Sequence, residues 1–198
     1  MLYVVIGAIA AALGSQLPAS SSSRAPSTGH RGLRAEHLAL PPIEHGGALG
    51  EADGAVPGGT TVFDGHVPGV ANLAPALLGA LRRAATAAAD DGVEFRLDSG
   101  WRSVGYQEEL LRQAIAKYGS EAEATRWVAT PSTSAHVKGD AVDMASAAAA
   151  WLSAHGSAYG LCQIYGNEPW HYEVRPDAVD HGCPALYVDP THDPRMRQ

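Results

Sequence analysis

Hydrophobic residues recur at helical spacing in several parts of this chain. Between residues 73 and 90, leucines and alanines return every three or four positions, which is typical of one face of an α-helix. Asn72 is the expected N-cap of this helix, and Gly92 follows its end. The same spacing predicts further helices over residues 106–118, 121–128 and 146–155.

Alternation of apolar and polar residues predicts short strands between these helices. Residues 93–99 and 141–144 alternate in this way, and two more strands are predicted over residues 161–165 and 170–174. Short strands without a repeated strand–helix–strand unit favour an α+β fold. We expect helices packed on one face of a small antiparallel sheet.

The first sixty residues show neither the helical spacing nor the alternation of a strand. Residues 2–13 form an apolar run that is shorter than the roughly 20 residues of a membrane span but has the length of a signal-peptide core. We interpret residues 1–19 as a signal peptide or a weak membrane anchor, with a plain apolar helix as the alternative, because no Lys or Arg precedes the run. Residues 20–60 are rich in Ser, Pro and Gly, which predicts a disordered linker. The folded domain is then predicted over residues 61–198.

Charge and cysteine content narrow the class of protein. The formal net charge is -7 and no basic stripe is visible, which argues against a nucleic-acid partner. The two cysteines, Cys162 and Cys183, would stay reduced inside a cell and would pair in an exported protein. Because the N-terminus favours export, we expect a disulfide bridge, and two buried free thiols are the alternative.

The residues that could carry chemistry are concentrated in two segments. Residues 134–143 read Ser-Ala-His-Val-Lys-Gly-Asp-Ala-Val-Asp, and residues 168–171 read Glu-Pro-Trp-His. Two imidazoles and one carboxylate are a ligand set of catalytic zinc sites, which also need a separate acid for proton transfer. We therefore interpret two histidines and an aspartate as metal ligands and a glutamate as the general base: His136, Asp143, His171 and Glu168.

The spacing within the two segments is compatible with a common site. His136 and Asp143 are seven residues apart, too far for neighbouring turns of one helix, and Gly139 between them permits a bend. Pro169 places Glu168 in a turn that leads into the strand of His171. A local hydrogen bond would explain the first His–Asp pair taken alone. The second acid-plus-histidine segment favours the metal site.

These segments resemble the motifs of a known enzyme family. Ser-x-His-x-x-Gly-x-Ala-x-Asp followed by Glu-x-Trp-His is similar to the motif pair of the zinc D-alanyl-D-alanine carboxypeptidases of the VanY kind. VanX dipeptidases and phage L-alanyl-D-glutamate endopeptidases are relatives of that family. Residues 99–103, Ser-Gly-Trp-Arg-Ser, resemble the family's Ser-Gly-Tyr-Arg-Ser, with Trp101 in place of Tyr. The resemblance covers roughly residues 60 to 198.

The resemblance implies a fold, a cofactor and a substrate. It implies a hedgehog/DD-peptidase-like fold, a zinc ion, and removal of the terminal D-alanine from peptidoglycan stem peptides outside the cytoplasm by a monomer. It adds Arg102 to Glu168 as a catalytic residue that stabilises the oxyanion, and it implies Gln107 and Ser134 as substrate-binding residues. An L,D-carboxypeptidase or an endopeptidase of the same fold, or a non-catalytic wall-binding module, is the alternative.

A first prediction concerns β-lactams, which trap the D-alanyl-D-alanine carboxypeptidases that use an acylated serine. Those enzymes carry Ser-x-x-Lys and Lys-Thr-Gly. Here the only lysines are Lys117 and Lys138, Ala114 and Ala135 stand three residues before them, and Gly139 follows Lys138 directly. We expect carboxypeptidase activity to survive saturating penicillin, to disappear with a chelator and to return with zinc. Stoichiometric labelling by a fluorescent penicillin, with matching loss of activity, would refute the metal mechanism.

Overall fold

Four short strands form one antiparallel sheet. In the computed structural model, which describes residues 49–197, they are β1 (Leu97–Ser99), β2 (Ala141–Met144), β3 (Leu161–Gln163) and β4 (His171–Val174). Their order across the sheet is β1-β2-β4-β3, and each neighbouring pair is antiparallel.

Helices precede, separate and follow the strands. Within the described residues the α-helices are α1 (Pro68–Ala71), α2 (Pro75–Asp90), α3 (Val104–Tyr118), α4 (Glu121–Ala124), α5 (Ser146–His155) and α6 (Ala178–His181). Short 3-10 turns lie at Glu51–Asp53, Gly156–Tyr159, Pro190–His192 and Pro194–Arg197. No helix within this part of the chain has both the length and the apolar character needed to cross a membrane.

The two faces of the sheet have different environments, because side chains alternate along each strand. One face contributes Leu97, Val142, Met144, Leu161 and Tyr172 to the hydrophobic core, together with buried residues of α2 and α5. The other face carries the polar residues Asp143, His171 and Glu173. The predicted α+β class, with helices packed on one face of a small antiparallel sheet, is therefore confirmed.

Helix caps account for two differences from the predicted boundaries. The prediction of Asn72 as the N-cap of α2 is wrong: Ala74 precedes that helix, Pro75 opens it, and Asn72 instead ends α1. Helix α3 begins two residues earlier than expected. The reason is the side chain of Ser103, which caps it by accepting a hydrogen bond from the backbone N–H of Tyr106 at 3.1 Å.

Other elements are shorter than their sequence patterns suggested. The strand predicted over residues 93–99 is regular only at Leu97–Ser99, since the backbone N–H of Val93 still bonds the last turn of α2 at Ala88. The helix predicted over residues 121–128 ends at Ala124. The tail after residue 175 contains α6 and two 3-10 turns. The predictions for residues 141–144 and 146–155 are confirmed.

Residues 49–60 belong to the folded domain. The Asp53 backbone and carboxylate oxygens accept hydrogen bonds from the backbone and side chain of Ser103, and the Thr60 carbonyl accepts one from Leu97. These hydrogen bonds attach residues 49–60 to the start of α3 and to β1. The linker predicted over residues 20–60 therefore ends before residue 60. The predictions for residues 1–48, a signal peptide or anchor and most of the linker, lie outside the described residues.

The predicted bridge between Cys162 and Cys183 is confirmed, with a sequence separation of 21. Cys162 is buried on β3, and Cys183 follows α6. The bridge therefore ties the C-terminal segment to the edge strand of the sheet.

Removing this bridge is expected to destabilise the domain. A loop of this length corresponds to about 3 kcal/mol of stabilisation in the chain-entropy model. We predict that Cys183→Ser lowers the free energy of unfolding by about that amount in urea titrations. Alkylation of two thiols in unreduced exported protein would contradict the bridge itself.

Candidate metal centre

Three buried side chains converge on the polar face of the sheet. His136, Asp143 and His171 each offer one ligand atom, and these atoms lie within 4.8 Å of one another. His136 Nε2 lies 3.2 Å from His171 Nδ1, and Asp143 Oδ1 lies 3.4 Å from the first nitrogen and 3.3 Å from the second. Ligands bonded tetrahedrally to zinc at 2.0–2.1 Å are separated by about 3.3 Å. The three donors therefore already have the mutual spacing of three corners of a zinc site.

Strand pairing and one turn bring these residues together. Asp143 on β2 is directly opposite His171 on β4. His136 arrives from the preceding loop, which turns at Gly139 with a φ of 75°. A Cβ at this position would lie 2.5 Å from the backbone oxygen of Asn72, so a glycine is required both by the conformation and by the space. The predicted bend at Gly139 is confirmed.

Each histidine has one ring nitrogen that is hydrogen-bonded to a group outside the cluster and one that is directed at the cluster. His136 Nδ1 is 2.8 Å from the carbonyl oxygen of Gly100, which leaves Nε2 for the cluster. His171 Nε2 is 3.3 Å from Glu173 Oε1, which leaves Nδ1. A side chain at Gly100 would displace this carbonyl, because a Cβ there would lie 2.1 Å from the backbone oxygen of Gly69. Both rings are therefore held in orientations suited to ligation.

Glu168 lies beside the cluster but is not one of the three candidate ligands. Its Oε2 is 3.7 Å from His171 Nδ1, and its Oε1 is buried with no hydrogen-bond partner among the described residues. Burial raises the pKa of Glu168 to about 8, against the opposing attraction of His171. A carboxyl group with a pKa near neutrality can both accept and return a proton, as a general acid–base requires.

Charges within the cluster set the protonation of the candidate ligands. Burial alone would raise the pKa of Asp143, but His136, His171 and Arg102 hold it well below its usual range. Burial and Arg102 lower the pKa of His136, which favours a neutral ring. Burial would also lower the pKa of His171, yet hydrogen bonds to Asp143 and Glu173 raise it to about 10. Because a histidine ligates a metal as the neutral imidazole, loading the site with a metal would release the Nδ1 proton of His171 and leave the Nε2 proton in place.

Arg102 is directed at the cluster from the loop after β1. Its Nε donates to Ser99 Oγ at 2.8 Å, Nη1 to Gln107 Oε1 at 3.2 Å and Nη2 to Asp143 Oδ2 at 2.7 Å. Gln107, in the first turn of α3, therefore lies directly beside Arg102. These three bonds fix the plane of the guanidinium beside the candidate metal ligands.

Gln107 and Ser134 are both buried and engaged with the protein. The Gln107 side-chain nitrogen donates to the Ala129 carbonyl at 2.8 Å while its oxygen accepts from Arg102. Ser134 Oγ accepts a 3.4 Å hydrogen bond from the backbone N–H of Val137, in the turn that delivers His136. Direct contact of either residue with a substrate stays a prediction.

The sequence did not predict two polar residues behind the cluster, Glu173 and Arg195. Glu173 is two positions beyond His171, so the alternation of β4 places both on one face, and this signal was available. Arg195 reaches Glu173 from the C-terminal turn, and no local pattern indicates that contact.

The donor set suits a zinc ion. Two imidazole nitrogens and one carboxylate oxygen are buried together, and each imidazole is oriented by a hydrogen bond through its other nitrogen. The unpartnered Glu168 oxygen lies next to them, where a catalytic site needs a proton carrier.

The chain is similar to known proteins. The family model described as VanY, D-alanyl-D-alanine carboxypeptidase, matches residues 71–177, more than half of the chain. A D-alanyl-D-alanine carboxypeptidase of Enterococcus faecalis is 32% identical over 112 residues, which cover 43% of this chain and 42% of that protein. The match therefore spans less than half the length of this relative.

Several solved structures are also similar. VanY, a D,D-pentapeptidase from a VanB-type resistance cassette solved with Zn(II), gives a TM-score of 0.48 at 29% identity, covering 52% of this chain and 72% of that chain. VanYB in complex with D-alanine-D-alanine gives 0.48 at 28% identity, covering 52% and 71%. The L,D-carboxypeptidase DacB of Streptococcus pneumoniae gives 0.47 at 25% identity, covering 61% and 77%.

If the metal ligands and the general base are different residues, their variants should differ in zinc content and in activity. His136→Ala and His171→Ala are expected to lose the single zinc ion, because each removes one of three donors. Glu168→Ala is expected to keep the zinc and to lose activity by about 10²–10⁴-fold. Elemental analysis of dialysed protein, with circular dichroism as the control for folding, measures both. A folded Glu168→Ala variant without zinc would show that Glu168 is a ligand.

Proposed function

The chain belongs to the VanY family of D-alanyl-D-alanine carboxypeptidases, and we propose that it is a zinc-dependent enzyme that removes the terminal D-alanine from peptidoglycan stem peptides. The observation that carries the proposal is the buried His136–Asp143–His171 cluster with the unpartnered carboxyl of Glu168 beside it. A structural ion-pair cluster would have no need of a buried carboxyl oxygen without a partner.

Glu168 carries the proton in the proposed reaction. A zinc ion held by the cluster would polarise the scissile carbonyl and lower the pKa of a water molecule to about 7. Glu168 takes the proton of the attacking water on its carboxylate and returns it to the nitrogen of the departing D-alanine. The unpartnered Oε1 is available for this transfer because no protein group among the described residues occupies it.

Arg102 stabilises the negative charge that develops on the carbonyl oxygen. A guanidinium has five N–H donors, and three of its nitrogens are each held by one bond to Ser99, Gln107 or Asp143. The remaining N–H groups are held in a fixed orientation for the substrate oxygen, as electrostatic preorganisation requires.

Gln107 and Ser134 are proposed to contact the peptide. The second amide hydrogen of Gln107 and the hydroxyl hydrogen of Ser134 are donors that the bonds described above leave over. Gln107 also orients Arg102, so its replacement would affect both binding and the chemical step.

The substrate and the disulfide both point to the cell envelope. Peptidoglycan lies outside the cytoplasm, and the Cys162–Cys183 bridge is of the kind that persists in oxidising compartments. We therefore propose an extracytoplasmic monomer that acts on wall peptides and has no nucleic-acid partner.

Defined muropeptides test the scissile bond. We expect mass spectrometry to show that a stem pentapeptide loses one D-alanine and that the resulting tetrapeptide is not cut further. Glu168→Ala is the matched control, since it retains the ligand set. Trimming of a tetrapeptide would instead identify an L,D-carboxypeptidase, and an internal cut an endopeptidase. Binding of the peptide without any product would identify a wall-binding module.

A further inference from the structure

A second buried carboxylate lies behind the candidate metal centre, and the proposed reaction does not use it. Glu173 is on β4, two residues beyond His171, and its side chain is 1% exposed. Its Oε1 lies 3.3 Å from His171 Nε2, the ring nitrogen on the far side from the cluster. Glu173 thus contacts a candidate ligand without being in a position to ligate.

Two arginines hold Glu173 as a carboxylate. Arg195 approaches from the C-terminal turn, with Nη1 2.7 Å from Oε2 and Nη2 3.2 Å from Oε1. Arg175 contacts only Oε2, at 2.7 Å. Both guanidinium groups are cations with donors and no acceptors, so they favour the ionised form of this carboxyl group. Its oxygens are therefore acceptors only.

The same C-terminal turn also supports the face of the His171 ring. The rings of Tyr165 and His171 have centroids 5.1 Å apart, and the Tyr165 hydroxyl donates to Asp193 at 3.1 Å. The single N–H of Arg195 Nε is shared between the two carboxylate oxygens of Asp193, each 3.0 Å from the nitrogen. His171 is therefore braced at its far nitrogen by Glu173 and on its face by Tyr165.

Ligation through Nδ1 requires the imidazole proton to be on Nε2. A carboxylate that accepts this proton in a hydrogen bond selects the tautomer, fixes the rotation of the ring and makes the ligating nitrogen more basic. His136 donates the equivalent hydrogen bond from Nδ1 to the backbone carbonyl of Gly100, so of the two histidines only His171 is oriented by ionisable side chains.

We propose that Glu173 is a positioning residue for the metal centre: it accepts the Nε2–H of His171, and Arg195 of the C-terminal turn holds it in place to do so. The inference rests on the metal-dependent function proposed above. Arg195 of the C-terminal turn then supports the active site, although it is far from the ligands in sequence.

Zinc affinity is the first test, measured on the full chain by competition with a chromophoric chelator. Glu173→Ala is expected to bind zinc about 10–100-fold more weakly than the unmodified protein. Glu173→Gln keeps an acceptor oxygen for His171 and is expected to lose less. A folded Glu173→Ala variant with unchanged zinc affinity would overturn the proposal.

The NMR signal of the His171 imidazole proton is a second test, because a general loss of stability would not change which nitrogen carries that proton. In the zinc-loaded, ¹⁵N-labelled protein we expect a slowly exchanging N–H signal from Nε2 of His171, present in Glu173→Gln and lost in Glu173→Ala. Assignment of that proton to Nδ1, or its persistence in a folded Glu173→Ala variant, would contradict the assigned role.

The two arginines provide a matched pair should Glu173→Ala fail to fold. Both contact the same carboxylate, but only Arg195 reaches Oε1, the oxygen that faces His171. Arg195→Ala is therefore expected to weaken zinc binding more than Arg175→Ala. Equal effects of the two variants, or none, would overturn the proposal. Absence of zinc binding by the unmodified protein would instead refute the metal centre, so the two failures are distinguishable.

Discussion

The register of β2 against β4 is the constraint on which the rest of the site depends. It places Asp143 opposite His171 on one face of the sheet and Val142 opposite Tyr172 on the other. Val142 and Tyr172 are buried in the core with α2 and α5. A slip of one residue would move apolar side chains out of that core and the candidate ligands into it. The packing of the core therefore also specifies the geometry of the metal centre.

Charge compensation divides the buried carboxylates into two groups. Burying an ionised carboxylate is costly unless it is paired. Asp143 and Glu173 are paired with histidines and arginines, and both have lowered pKa values, which suits a ligand and an acceptor. Glu168 has a long contact with His171 and an unpartnered oxygen, and its pKa is raised. The same polar face thus carries two paired, ionised carboxylates beside one carboxyl group, that of Glu168, whose pKa burial raises toward neutrality.

The sequence predicted those features that depend on local pattern. Strand β2, helix α5 and the bend at Gly139 follow from periodicity and from a glycine where no side chain fits. Several features set by distant contacts had no signal in the local sequence. Asn72 is a reasonable N-cap by residue type, but the chain ends α1 there and starts α2 at a proline. The clamp of Arg195 on Glu173 joins residues 22 apart and has no local signature. The folded conformation of residues 49–60 likewise depends on contacts with Ser103 and Leu97.

The central claim is that His136, Asp143 and His171 together hold one zinc ion. Anomalous X-ray scattering at the zinc edge, from crystals of the zinc-loaded protein, locates the metal independently of any assay of activity. The account predicts a single peak bonded to His136 Nε2, His171 Nδ1 and a carboxylate oxygen of Asp143, with Glu168 outside bonding distance. A zinc ion held by other side chains, or no peak between these three, would contradict it.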